Sequence, residues 1–167
     1  MNKSFAKMTL AFLVLSFTLA SCGGSFYEKH EKVINKDDLP IWHISDVKKF
    51  TVDVKDNQAK YKLNLALRYA SGVQKTNVSA YTLKLTTTTP SGKKTVKDYV
   101  IKLKDENGEF LGDPLGQIID LMTLVEENYA FAETGKYTFE VIHNMPPNTS
   151  ITGIMEAGLR IDQVENK

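Results

Sequence analysis

Residues 61–69 read YKLNLALRY, and this stretch is the clearest indication of the fold class in the sequence. Apolar residues alternate here with polar or small ones, and a period of two is typical of a half-buried β-strand. The same alternation appears in four other segments of the chain. They contain Phe50-x-Val52-x-Val54, Tyr81-x-Leu83-x-Leu85, Tyr99-x-Ile101-x-Leu103 and Tyr137-x-Phe139-x-Val141. We expect the alternating apolar residues of 61–67, 81–85 and 137–141 to form the core.

Turn-forming residues separate these segments. The clearest pair is Asn107-Gly108, because both residues tolerate the positive φ angles of a tight hairpin. Seven to nine short strands with turns at this spacing predict an all-β domain, an antiparallel β-sandwich. The single cysteine, Cys22, leaves no partner for a disulfide within the chain, so packing alone must stabilise the fold.

One segment, residues 115–128, fits either a helix or a strand. Asp113-Pro114 is a suitable helix start, and the apolar residues that follow it have helical spacing. They are Leu115, Ile118, Ile119, Met122 and Val125. Residues 119–125 read equally well as a buried strand, because periodicity does not distinguish the two in a short apolar run. The all-β surroundings favour the strand.

The N-terminus carries a secretory signal. Lys3 and Lys7 come first, an apolar stretch follows at 8–20, and small residues stand at the expected cleavage site. The sequence LASC at 19–22 resembles the lipobox of bacterial lipoproteins, in which the chain is cut before the cysteine and acyl chains are attached to it. The alternatives are an ordinary signal peptide with an incidental thiol at Cys22 and a membrane-spanning helix. The apolar stretch is shorter than the ~20 residues that span a bilayer.

This interpretation divides the chain into a signal peptide at 1–21, a tether at 22–40 and a β-sandwich domain at 41–167. Cleavage removes two of the 21 basic residues and leaves 19 against 20 acidic residues. A near-neutral surface argues against nucleic acid as a partner, because nucleic acid calls for a basic face. We expect the chain to contact the membrane through acyl chains on Cys22, since each buried methylene contributes about 0.8 kcal/mol.

The order of motifs along the mature chain resembles the gliding-motility-associated lipoprotein H family (GldH) of Bacteroidetes-type bacteria. The residues that carry the resemblance are Cys22, Trp42, Phe50-x-Val52-x-Val54-x-Asp56, Tyr61-x-Leu63-x-Leu65-x-Leu67-Arg68-Tyr69, Asn77, Pro90-x-Gly92, Gly108-x-Phe110-x-Gly112, Gly135-x-Tyr137-x-Phe139, Met145, Gly153-Ile154 and Gly158-Leu159-Arg160-Ile161. The resemblance implies an envelope lipoprotein of the gliding machinery with no known enzymatic activity. It also implies envelope or motility-apparatus proteins as partners.

The residues after the cysteine bear on the side of the membrane that the domain faces. The stretch Gly23-Gly24-Ser25-Phe26 contains no acidic residue. A cluster of acidic residues after the cysteine would resemble the surface-export signal of lipoproteins in these bacteria. We therefore expect a lipid-anchored protein of the outer membrane that faces the periplasm.

No motif for catalysis, a metal or a cofactor is recognisable. Of the three histidines, His30 falls in the tether, His43 lies at the domain edge, and His143 continues the apolar phase of 137–141. We expect His143 to be a hydrogen-bonded histidine at a strand end, not a general base. A nucleophile elbow, an H-E-x-x-H motif and a glycine-rich phosphate loop are all missing from the sequence. We therefore predict a protein that is not an enzyme and holds no cofactor or metal.

Arginine is scarce, since the chain contains only Arg68 and Arg160 beside 19 lysines. Both lie in predicted strands in the polar phase, next to Leu67 and Leu159, so we expect them on outward sheet faces. The rigid guanidinium favours fixed pairing and interfaces. Two interpretations follow: the arginines pair with nearby acids across a sheet, or they belong to a partner-binding site.

Two functions from different classes remain. The first is a non-catalytic structural or assembly role in the cell envelope, and the alternative is a ligand- or glycan-binding β-sandwich. Stacking on sugar rings needs exposed aromatic side chains. The strand aromatics Tyr61, Tyr81, Tyr99, Tyr137 and Phe139 instead fall in the core-facing phase. The structural role is therefore favoured.

Overall fold

The computed structural model describes residues 26–33, 39–72, 78–147 and 150–164. In these ranges the chain forms eleven strands, all paired antiparallel, and no helix. The strands are β1 Tyr27–Lys32, β2 Ile41–His43, β3 Lys48–Val54, β4 Tyr61–Ala70, β5 Ala80–Thr88, β6 Lys94–Lys102, β7 Asp113–Leu115, β8 Ile118–Tyr129, β9 Gly135–His143, β10 Ser150–Thr152 and β11 Ile154–Gln163.

Two sheets face each other and confirm the predicted β-sandwich. The first sheet has five strands in the order β1-β11-β4-β8-β7, and the second has four in the order β3-β9-β5-β6. A small ribbon of β10 and β2 is separate from both. The strand count exceeds the expected seven to nine because β2, β7 and β10 have three residues each, too few to display a period of two.

The core lies between the two sheets and contains the side chains that the alternation selects. Each residue of the three expected sets is at most 3% exposed. They are Tyr61, Leu63, Leu65 and Leu67 on β4, Tyr81, Leu83 and Leu85 on β5, and Tyr137, Phe139 and Val141 on β9. Trp42 is fully buried as well, and its indole Nε1 donates to the Asp46 carbonyl oxygen at 2.7 Å.

The ambiguous segment 115–128 is a strand. It belongs almost entirely to β8, which pairs with β4 from Tyr61↔Tyr129 to Ala70↔Ile118, and β7 folds back onto its first residues. Along the first residues of β8 the burial alternates, with Ile119 and Leu121 inside and Met122 and Leu124 exposed. The helical spacing of its apolar residues is therefore coincidental.

Part of the segment assigned to a tether is folded. Residues 27–32 form β1, which pairs with β11 along its whole length from Tyr27↔Ile161 to Lys32↔Glu156. His30 consequently lies on a sheet. Val33, the next residue, is fully buried and donates its backbone N–H to the Met155 carbonyl oxygen at 2.7 Å. The five-stranded sheet therefore includes residues 27–32, which the expected domain boundary at residue 41 had assigned to the tether.

His143 differs from the expectation in one respect. It ends β9 and is fully buried, but neither ring nitrogen has a partner within normal hydrogen-bond geometry, and the ring has only a weak interaction with the backbone of Trp42. The indole ring of Trp42 packs edge-on against the imidazole at a centroid distance of 5.8 Å. Burial lowers the pKa of His143, which keeps the ring neutral, although the backbone of Trp42 opposes this shift.

Candidate interaction surface

The outer face of the five-stranded sheet, turned away from the four-stranded sheet, brings both arginines together. Residues at even positions of β4 point outward, because the odd positions fill the core. The register sets Arg68 opposite Asp120 and Glu156, and it sets Arg160 opposite Glu28. The expectation that both arginines lie on an outward face is met, since each side chain is more than a third exposed.

Arg68 is held by two carboxylates from the neighbouring strands. Its Nε and Nη2 donate to Oδ1 and Oδ2 of Asp120 at 2.6 and 2.8 Å, and Nη1 lies 3.4 Å from Glu156 Oε1. This two-pronged geometry fixes the guanidinium plane. The hydrogen bonds raise the pKa of Arg68 and lower the pKa of Asp120, so both groups stay charged.

Arg160 has a similar but looser set of partners. Its Nε lies 3.0 and 3.1 Å from the two carboxylate oxygens of Asp162, and its Nη1 lies 3.4 Å from Glu28 Oε2. Asn64 donates from Nδ2 to Asp162 Oδ2 at 3.1 Å. Each arginine is thus shared between two acids on the same sheet face.

Between the arginines the sheet carries two small residues, Gly158 and Ala66, flanked by His30 and Met122. The register aligns His30, Gly158, Ala66 and Met122 across four strands. The His30 ring lies against Gly158 so closely that a β-carbon there would approach its Nδ1 to 2.7 Å. A shallow hollow of about 230 Å³ is lined by His30, Ala66, Met122 and Arg68 together with Glu28 and Asp120. The face is therefore a charged frame around a shallow, small-residue centre.

This arrangement provides ion pairs and a surface for contact with another molecule. No group of histidines, cysteines and acids in the described ranges is arranged to hold a metal ion. Among the same residues, no helix is long and apolar enough to cross a bilayer. Cys22, the predicted lipidation site, lies outside the described residues.

Sequence reasoning missed the acids that position the arginines. Asp120 and Glu156 are 52 and 88 residues away from Arg68 along the chain, so only the sheet register brings them together. Exposed valines on β6 were missed as well. Val96 and Val100 alternate with charged residues on the outward side of β6. Valine at positions where an exposed strand face normally carries polar residues could have indicated this surface from the sequence.

Comparisons with known proteins agree on one family. The family model described as GldH lipoprotein matches residues 25–161. A protein of Christiangramia forsetii (strain DSM 17595 / CGMCC 1.15422 / KT0803), named "Gliding motility lipoprotein GldH homolog", is 25% identical over 174 residues. That alignment covers 99% of this chain and all of the relative.

Proposed function

The chain belongs to the GldH lipoprotein family, which is tied to gliding motility, and from this premise we propose that its β-sandwich is a non-catalytic docking domain of the cell envelope. Its partners in this proposal are envelope or motility-apparatus proteins. The domain holds them near the membrane through contacts on the outer face of the five-stranded sheet.

One observation carries the docking role. Both arginines of the chain stand on one sheet face, half exposed, and four carboxylates from neighbouring positions hold them. A guanidinium that is already fixed loses little side-chain entropy when a partner binds, and arginine is enriched in interfaces for this reason.

Anchoring is the second part of the proposal. We propose that acyl chains on Cys22 hold the protein in the outer membrane, with the domain facing the periplasm. β1 begins at Tyr27, and five residues from Cys22 span at most ~18 Å when fully extended. On this proposal the start of β1 stays close to the bilayer, and the opposite end of the sandwich points away from it.

Glycan binding is the weaker candidate. Sugar-stacking sites use exposed aromatic rings, whereas Tyr61, Tyr69, Tyr137 and Phe139 are at most 1% exposed. The large exposed apolar side chains of the described residues are aliphatic or methionine. Aliphatic surface suits contacts with protein more than contacts with sugar rings.

Recovery of envelope partners tests the docking role. An affinity-tagged chain would be purified from detergent-solubilised envelope, and the co-purified proteins would be quantified by mass spectrometry. The variant carrying Arg68→Lys and Arg160→Lys keeps both charges but loses the planar fork. We expect recovery of specific partners to fall several-fold. The free energy of unfolding, measured by chemical denaturation, should stay within about 1 kcal/mol of the wild-type value.

A matched variant makes the result specific to this face. Lys49→Gln removes an exposed ion pair, Lys49 Nζ to Glu140 Oε1 at 3.1 Å, from the other sheet. Recovery should be unchanged in this variant. If the arginine variant recovers the same partners in wild-type amounts, the arginines only brace the sheet and the docking role of this face is wrong.

A further inference from the structure

β6 leaves one edge of the four-stranded sheet open. It is the last strand of the order β3-β9-β5-β6, and all nine of its residues pair with β5. No other strand in the described part of the chain pairs with its second edge. A nine-residue strand is long for an unprotected edge, and backbone N–H and C=O groups there are available to another strand.

The outward phase of β6 mixes charge with exposed valine. From Lys94 to Lys102 this phase reads lysine, valine, aspartate, valine, lysine. Val96 is 56% exposed and Val100 is 64% exposed. Lysines are a common protection for edge strands, but β-branched apolar residues between them add surface that water disfavours. The outward phase therefore has a lysine at each end, an aspartate in the middle and an exposed valine between each pair of charges.

A hollow with a largely apolar lining lies beside this edge. It has a volume of about 540 Å³. Its lining includes the apolar residues Val100, Leu111, Met122 and Leu124 and the charged residues Lys102, Asp113 and Asp120. β6 and β8 border it but belong to different sheets. The two strands are linked across the gap by side chains, because Lys97 Nζ and the Tyr99 hydroxyl both donate to Glu126 Oε1, at 2.6 and 2.7 Å. These hydrogen bonds hold β6 and β8 together, while the second backbone edge of β6 stays open to an added strand.

Charge decides which kind of strand fits. Neither Lys94 nor Lys102 has an ion-pair partner among the described residues, and Asp98 only accepts a hydrogen bond from Asn144 at 3.2 Å. Antiparallel pairing of β6 with a second copy of itself, in the register that joins all nine residues, would set Lys94 against Lys102 and Asp98 against Asp98. Like charges directly opposite each other destabilise a strand pair. The edge thus disfavours a second copy and suits acidic residues at the ends of its partner.

We propose that β6 receives an extended segment of a partner protein, which joins the four-stranded sheet as a fifth, antiparallel strand. The segment carries acidic residues opposite Lys94 and Lys102 and apolar residues opposite Val96 and Val100, with side chains that reach the hollow. Backbone hydrogen bonds supply affinity in this mode of recognition, and side chains supply specificity. The inference rests on the proposed docking role and assigns it a second surface and a partner of stated chemistry.

Two synthetic peptides test the proposal on the full lipidated chain in detergent. The first, Glu-Thr-Leu-Thr-Arg-Thr-Leu-Thr-Glu, complements β6 at every outward position. The second, Lys-Thr-Leu-Thr-Asp-Thr-Leu-Thr-Lys, has the opposite charges at the same positions. Fluorescence anisotropy would measure affinity, and hydrogen exchange would locate the contact. We expect the acid-ended peptide to bind about tenfold more tightly and to slow exchange at the backbone amides of β6.

Variants of the chain distinguish strand pairing at the edge of β6 from non-specific binding of the peptide. Val100→Lys should weaken binding of the acid-ended peptide at least about tenfold. Val47→Lys makes the same change at a 45% exposed valine beside β3, on the other edge of the sheet, and should leave binding unchanged. The variant with Lys94→Glu and Lys102→Glu should reverse the preference between the two peptides, which keeps the test decisive even if Val100→Lys folds poorly.

Several outcomes would overturn the proposal. Equal affinity for the two peptides, or exchange protection only outside β6, would refute the strand-addition site. Self-association that Val100→Lys abolishes would make a second copy the occupant, and binding to phosphatidylglycerol vesicles that Val100→Lys abolishes would make it a lipid surface. Each of these results leaves partner recovery through Arg68 and Arg160 untouched, so failure here and failure of the proposed function are distinguishable.

Discussion

Leu65 lies at the centre of β4, between Leu159 of β11 and Thr123 of β8, and it is fully buried. We predict that Leu65→Ala lowers the free energy of unfolding by about 2–5 kcal/mol, the range for truncating a buried leucine. Leu124→Ala is the matched control, because this leucine is 47% exposed and its truncation should cost less than about 1 kcal/mol. Chemical denaturation measures both, and equal effects would show that the assignment of inner and outer faces is wrong.

The burial of His143 predicts that the stability of the fold depends on pH. Its pKa is lowered in the folded chain by burial, so as the pH falls below about 6.5 the unfolded chain takes up a proton that the folded chain does not. Stability should therefore be constant above that pH, as far as this group is concerned, and should fall with acidification. The slope for one proton is at most about 1.4 kcal/mol per pH unit.

Denaturation midpoints between pH 7.5 and 5.5 would show the effect. His143→Leu should flatten the pH dependence in this window, whereas His30→Gln, at a partly exposed position, should preserve it. An unchanged slope in His143→Leu would mean that other groups cause the loss. The sequence predicted the burial of His143 from its phase on β9, but it did not predict that the ring is poorly hydrogen-bonded, because possible partners come from other elements.

The hairpin of β7 and β8 is the element that the sequence left open. Helical and strand patterns competed there, and the outcome depended on the free edge of β4, which no local pattern reveals. The alternating strands β3, β4, β5 and β9, by contrast, were all predictable, because a period of two records burial on one face. Short strands and the register across the sheets needed the tertiary structure.

The hairpin of β7 and β8 requires a glycine at position 112. Gly112 has a φ of +106°, and a β-carbon there would stand 2.5 Å from the backbone oxygen of Asp120, on β8. We predict that Gly112→Ala destabilises the domain by about 1–3 kcal/mol more than Gly92→Ala. Gly92 has a similar φ of +88°, but nothing lies within 4 Å of its would-be β-carbon.

Thermal unfolding would compare the two glycine variants. The shared positive φ cancels in the comparison, so the difference reports the close approach to β8. Equal destabilisation would indicate that the hairpin can shift away from the added methyl group. Because Asp120 also holds Arg68, we expect the clash to disturb the arginine face as well.

The whole molecule combines a sandwich with a membrane anchor, and the anchor is a prediction of the sequence. Metabolic labelling with a palmitate analogue should label the wild-type chain and leave Cys22→Ala unlabelled, because we expect the thiol of Cys22 to be the acceptor. The same cells would be fractionated to show that both chains are made in equal amounts. Equal label in the two chains would refute lipidation at this residue.

We propose above that the outer face of the five-stranded sheet, which carries Arg68 and Arg160, contacts a protein partner in the envelope. The most direct measurement places a photo-crosslinking amino acid at His30, which lines the hollow together with Arg68, and illuminates intact cells. A second chain carries it at Lys49, which is exposed on the other sheet. We expect a discrete protein adduct from position 30 that disappears when Arg68→Lys and Arg160→Lys are added, and none from position 49. No adduct at position 30, or the same adduct from both positions, would contradict it.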